Sequence, residues 1–449
     1  MNKKVVSKSS FVVLSMMLLA ACNTQPAPPA PPAAPSPPVA KMDLKSEDVK
    51  GTVTEWNWNA QFPAYEKETL GKKFPNLKFE ATVVATGDYL QKLQSSIASG
   101  TDVPDIILAE IGTRGKLYNM DILENLEAPP YNFDRKTFFP YEVPLHMNEK
   151  GQIVGVEQQL TTSGFAFRRD LTKQFFGVDD PDKVEEVVKD WDAFIKAGQL
   201  VKEKSGGQVY MMASLTDALT ALRGQTAQEY IKGDEIDITK RLKNAFEIAF
   251  KLRDTGILGK YEQGSPAWNA AYAKGDVIFW NSATFSPKSG MYANDKEKGT
   301  GRWGLVKAPG GGFTMGGTSV GIYKNSKNKE AAWEVIKYLY LSKEGFSNTY
   351  REFGYIPGVQ SFFEGADTPI DQPGRYDEFF GGQNLAKYHI TKILPGVKGQ
   401  PQSKYETIVN EAIGKLQPQF IQQANMTPQQ ALDKIKDEIK LKAPNAIVK

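Results

Sequence analysis

Cysteine is all but absent. The 449 residues hold one, Cys22, and two histidines, His146 and His389. One cysteine excludes an internal disulfide, so even in an oxidising compartment the fold must rest on burial. No Cys and His grouping of metal-ligand spacing occurs, nor a P-loop or EF-hand pattern, and no metal or other cofactor is expected. Long apolar runs are scarce as well: past Cys22 none reaches the roughly 20 residues that span a bilayer, so that part reads as soluble. Net charge is the third lack. Residues 1–21 contain three lysines and no acid; without them, 52 of the 55 basic residues face 52 acidic ones. That balance gives no electrostatic reason to bind nucleic acid.

Two motifs lack the context that would give them chemistry. Gly317-Thr318-Ser319-Val320-Gly321 fits G-x-S-x-G, but a nucleophile elbow needs a helix directly after the serine, and Val320–Lys324 reads as a strand. Only His389 follows that serine, so a hydrolase triad is not expected. Gly299-Thr300-Gly301-Arg302-Trp303-Gly304 fits G-x-G-x-x-G with no strand before it, and Leu305, Val306 and Pro309 deny it a helix, which excludes a dinucleotide site.

What is present begins at the N-terminus. Lys3, Lys4 and Lys8, an apolar run from Phe11 to Leu19 and then small residues have the layout of an export signal over residues 1–21. Leu19-Ala20-Ala21-Cys22 resembles the bacterial lipobox, in which cleavage leaves the cysteine first and its thiol takes a diacylglycerol. Two acyl chains anchor durably where one is marginal. Residues 22–50 then form a tether, because the Pro, Ala and Ser run from Thr24 to Ala40 cannot build a core and favours extended polyproline.

The rest is long enough for two lobes. Gly51–Trp58 alternates as a strand with Trp56 and Trp58 on one face, Tyr65–Phe74 reads as a helix, and Leu77, Phe79, Ala81 and Val83 alternate in a second strand. Leu90, Leu93 and Ile97 stripe a helix that Gly100 ends, and Asp102–Glu110 is a short apolar strand of the kind buried in a parallel sheet. This succession predicts βαβ units. Farther on, strands are expected at Gln152–Leu160, Phe165–Arg168, Val277–Trp280 and Ser319–Lys324. Helices are expected after Asp190, from an N-cap at Thr239 to Gly256, from about Ala332 to Gly345, through Tyr405–Leu416 and after Thr427-Pro428.

Taken in order, several stretches resemble the family 1 extracellular solute-binding proteins of bacterial ABC sugar importers, the group that includes maltose-binding protein. They are the lipobox, Asp88-Tyr89 with Lys92-Leu93, Pro104-Asp105-Ile106, Phe165–Leu171, Lys274-Gly275-Asp276 and Gly316-Gly317-Thr318. Ser326–Trp333, Gly354-Tyr355-Ile356-Pro357, and Thr427-Pro428 with Ala431-Leu432 complete the set. The resemblance implies an α/β, two-lobed periplasmic-binding-protein fold with three interlobe crossings and a ligand cleft between the lobes. By analogy the crossings lie near Leu160–Gly164, Phe313–Val320 and Gly365–Gln372. That makes residues 51–160 and 320–366 one lobe, and residues 164–314 and 372–449 the other. It implies a carbohydrate ligand, an ABC permease as partner, a monomer, and lipid anchorage at the extracytoplasmic face, on a Gram-positive outer surface in preference to a periplasm.

A sugar site wants aromatic planes with amides, carboxylates and backbone groups around them. Trp56, Trp58 and Asn59 stand at the carboxyl end of the first strand, where clefts of open α/β sheets form. Glu110 and Arg114 follow the buried strand, Thr161 sits at the first crossing, and Gly317 with Thr318 at the second. Trp280 ends a strand, Phe285 stands where the resemblance implies a stacking aromatic, and Asp217 and Tyr405 complete the candidates in the second lobe. A non-enzymatic receptor is the favoured reading. A surface-anchored polysaccharide-degrading enzyme and a receptor for another solute, such as a peptide, are the alternatives.

Overall fold

The computed structural model describes residues 44–449 except 227, 366, 367, 369, 370 and 424. The export signal, Cys22 and the Pro-rich run lie outside the described residues, as does half of the third expected crossing. Strand β1 (Gly51–Asn57), helix α1 (Phe62–Lys73), β2 (Leu77–Val83), α2 (Thr86–Ser99), β3 (Ile106–Glu110) and α3 (Ile111–Tyr118) follow one another, and the short β4 (Val156–Glu157) comes later. Because helices carry the chain from strand to strand, β1 pairs in parallel with both β2 and β3.

The chain then builds β5 (Thr162–Arg168), β6 (Tyr210–Met212), β7 (Ile231–Lys232), β8 (Glu235–Ile236), β9 (Val277–Ala283), β10 (Trp303–Val306) and β11 (Phe313–Thr314). It returns as β12 (Thr318–Ile322) and ends in β13 (Ile447–Val448). One sheet runs β2-β1-β3-β12-β4, with β12 antiparallel to both neighbours; the other runs β10-β5-β9-β6, with β11 beside β5. Strands β13, β8 and β7 form a small third sheet. The chain is two-lobed. Val53, Ile107, Leu108 and Val320 belong to the core of the first sheet. Alternation along β5 and β9 sends Phe165 and Phe279 to one face of the second sheet, among the helices, and Ala166 and Trp280 to the other.

Several local expectations are corrected. Helix α1 starts at Phe62, before Tyr65, with Pro63 in its first turn, where the missing N–H has no intrahelical partner to lose. The expected strand Gln152–Leu160 shrinks to the two residues of β4; ahead of it Ile153 makes only an isolated antiparallel bridge to Met147, where Val154 N–H donates to the His146 carbonyl. Helix Ile238–Thr255 is capped by Asp237, whose carboxylate accepts from Lys240 N–H at 2.9 Å, and Thr239 lies within the first turn. Gly345 ends no helix. It sits inside Lys343–Phe353, capped by the Ser342 hydroxyl at 3.0 Å.

Candidate functional site

Strand β1 stops at Asn57, and the next residues bend away through side-chain turns. Asn57 Oδ1 accepts from Asn59 N–H at 3.0 Å, and Asn59 Oδ1 accepts from Gln61 N–H at 3.1 Å. The turn leaves Trp58 beyond the sheet, edge-on to Tyr89 with ring centres 5.3 Å apart. From β3, Glu110 caps α3 by accepting from Gly112 N–H at 2.7 Å, and burial holds its carboxyl above the usual range. Gln158 and Gln159 lie on the segment from β4 to β5, where the Thr284 hydroxyl donates to Gln159 Oε1 at 3.2 Å.

On the segment from β11 to β12, Gly316 and Gly317 both have positive φ. A Cβ on Gly316 would stand 2.9 Å from the Phe285 ring, and one on Gly317 would stand 2.6 Å from the Thr161 methyl. Only glycine lets this backbone approach so closely. These residues enclose a cleft of about 460 Å³ whose walls also include Gln61, Lys288 and Tyr355. Lys288 reaches across to donate to Gln61 Oε1 and lies 4.1 Å from the Phe353 ring centre. Its pKa is lowered by burial and by the like charge of Arg375. Gln61, Lys288 and Ala293 also border an adjoining groove of about 1110 Å³.

Six of the expected residues meet here: Trp58, Asn59, Glu110, Phe285, Gly317 and Thr318. Six do not line it. Trp56 is packed in the first core, with the Lys92 ammonium 4.3 Å from its ring centre. Arg114 is fully buried against Glu157 at 3.4 Å. Thr161 is 1 % exposed, its methyl behind Gly317. Asp217 is buried among the Ser214 hydroxyl, the Gln263 amide and the Trp268 indole; burial, partly offset by those donors, pushes its pKa up to about 6. Trp280 stacks on Tyr272 with ring centres 3.8 Å apart, and Tyr405 donates to Asp234 at 2.7 Å. Gln61, Gln158, Gln159, Lys288 and Tyr355 escaped notice, although Tyr355 lies in a stretch that carried the family resemblance and the two adjacent glutamines precede a crossing.

The G-x-S-x-G serine has a histidine after all, one that precedes it in sequence. Ser319 Oγ is 3.0 Å from His146 Nδ1, and His146 Nε2 is 3.1 Å from Glu157 Oε2. The order matches nucleophile, base and carboxylate, but Ser319 is 1 % exposed within β12, paired on both sides. A Cβ on Gly155 would come within 2.2 Å of its hydroxyl. No substrate carbonyl has room to approach, and burial keeps His146 neutral by lowering its pKa. The group is a packed hydrogen-bond network: Glu157 also accepts from Thr318 N–H at 2.9 Å and so braces the cleft wall.

Residues 60–373 match the model of a family described as bacterial extracellular solute-binding protein. The chain is 26 % identical over 358 residues to the lactose-binding protein of Rhizobium radiobacter, covering 75 % of this chain and 80 % of that one. It is 22 % identical to the arabinooligosaccharide-binding protein of Bacillus subtilis (strain 168), over 96 % and 98 % of the two chains. Among solved structures it resembles an extracellular solute-binding protein of family 1 with a TM-score of 0.76 at 18 % identity, covering 87 % of this chain and 99 % of the other.

Proposed function

The chain belongs to the bacterial extracellular solute-binding proteins, and from that premise we propose that it captures a carbohydrate between its lobes and hands it, unaltered, to an ABC permease. The lining of the cleft carries this reading. Trp58, Phe285 and Tyr355 offer planes for the C–H faces of a sugar ring, and Asn59, Gln158, Gln159 and Glu110 bring amides and a carboxyl toward its hydroxyls. Gly317 brings bare backbone to the wall, while the Thr318 N–H is held by Glu157. The cleft and the groove beside it have room for more than one ring, which favours an oligosaccharide. Relatives named for lactose and for arabino-oligosaccharides support the same class.

The reading extends to location. With Leu19-Ala20-Ala21-Cys22 read as a lipobox, the protein is held by lipid at the extracytoplasmic face, on a Gram-positive outer surface in preference to a periplasm, and works there as a monomer. No helix among the described residues is long and apolar enough to cross a membrane. Cys22→Ala is expected to release the chain to the medium instead of leaving it with the membranes. Calorimetry of that released protein against neutral di- to tetrasaccharides should give saturable heat with at least one, and chromatography after prolonged incubation should show the sugar intact. Silence across the panel overturns the carbohydrate reading, and steady formation of shortened product overturns the receptor.

A further inference from the structure

A second cavity, of about 170 Å³, shares only Gly316 with the cleft and has different chemistry. It lies between the start of α3, at Gly112, and the helices Leu215–Gly224, Ile238–Thr255 and Glu406–Gln422. Its charged groups do not balance. Arg241 donates to Glu406 at 3.1 Å and lies 4.6 Å from the Tyr230 ring centre, while the Tyr230 hydroxyl takes the other Glu406 oxygen. Both Glu406 oxygens are therefore held. Arg223, beside it, donates to a neutral acceptor, Asn410 Oδ1. Arg223 also feels the charge of Glu406, but two arginines share that one carboxylate, and the surplus cation attracts an anion. Burial, reinforced by the like charge of Arg241, lowers the Arg223 pKa.

The unmet hydrogen bonds at this cavity are of two kinds. Arg223 Nε and Arg241 Nε lack acceptors, whereas Gln400 Oε1 and Gln402 Oε1 lack donors. Arg241, Gln400 and Gln402 are each more than nine-tenths buried. Acetate would answer the arginines and leave both amide oxygens orphaned, hydrogen phosphate with its single hydroxyl would reach at most one of them, and a neutral sugar would leave the surplus positive charge uncompensated. A ligand that is both an oxyanion and a hydroxyl donor satisfies all four. We propose that this cavity is a second ligand site, one that takes a small polyhydroxylated carboxylate such as a hexuronate, with its carboxylate on Arg223 and its hydroxyls on the Gln400 and Gln402 oxygens. Since both lobes contribute walls, its occupant ties them together. The site does not depend on what fills the cleft.

The test is calorimetry on the full chain with galacturonate, galactose, acetate and phosphate at one ionic strength, with digalacturonate alongside. Galacturonate should bind, and galactose, acetate and phosphate should each bind at least roughly tenfold more weakly. Digalacturonate binding as well identifies the end of an acidic chain as a source; binding of the monomer alone identifies the free acid. Arg223→Gln should weaken galacturonate by at least roughly tenfold. Asn410→Asp should weaken it as much, because it gives Arg223 an internal carboxylate, and this second variant decides the matter if the first does not fold. Trp58→Ala, which lies in the cleft and away from every wall of this cavity, should leave galacturonate binding unchanged even if every neutral oligosaccharide fails. The proposal is overturned if galacturonate gives no heat, if acetate or phosphate matches it, or if both cavity variants bind it as wild type does.

Discussion

Trp58 and Trp280 put the same side chain to opposite uses, and two measurements separate them. Trp280 is 1 % exposed and stacked on Tyr272, so Trp280→Ala should lower folding stability by about 3 to 5 kcal/mol in a thermal or urea melt. Trp58, open to the cleft on one side, should melt nearly as wild type when cut to Ala yet lose about 2 kcal/mol of sugar affinity, roughly 30-fold, by calorimetry. Sequence alternation put Trp56 and Trp58 on one face, and nothing in it revealed that the strand stops between them at Asn57. Arg114 and Glu157 were illegible for a related reason: a charged residue after a buried strand can face ligand or find a partner, and here the partner lies across the fold. Glu157→Gln should leave Arg114 buried and uncompensated and cost about 3 to 5 kcal/mol, read from the urea midpoint.

Helix ends were readable where one residue alone was able to cap. Thr427 and Gln430 form a reciprocal capping box, and Thr427→Ala should cost about 1 kcal/mol. Where Asp237 and Thr239 competed, the periodic pattern did not choose; Asp237→Ala should cost about 1 kcal/mol and Thr239→Ala less, as paired thermal melts would show. The strands of the βαβ units were legible because their alternation or apolar runs declare burial. The place of β12 was not. Its apolar residues state that it is buried without stating that it enters the first sheet antiparallel, between β3 and β4. The cleft inherited the same gap: residues at the ends of parallel strands were found, whereas Lys288 and Tyr355 come from segments that only tertiary packing brings there.

For the molecule as a whole, stability should depend on pH through groups it has buried. Glu55 and Glu66 are fully enclosed and close enough to interact; burial raises both, Glu55 to about 7, and the charge of Glu55 raises Glu66 further. A carboxyl raised on folding binds more protons folded than unfolded, so its stabilisation is complete below about 4.5 and is lost as pH rises through about 7. Buried His146 and His389 are lowered and act in the opposite sense, adding stability as pH climbs toward 6.5. Above 6.5 the carboxyls act without that opposition. The urea midpoint should therefore fall between pH 6.5 and 8, and Glu66→Gln should flatten the fall; an unchanged slope would show that the pair does not titrate there. The insertion of β12 has a consequence in time. Glu110 pairs with Thr318, so the first sheet cannot close until the whole of the second sheet, β5 to β11, has left the ribosome. Contacts so distant in sequence form slowly. The two sheets are thus completed nearly together, late in synthesis, instead of one after the other along the chain.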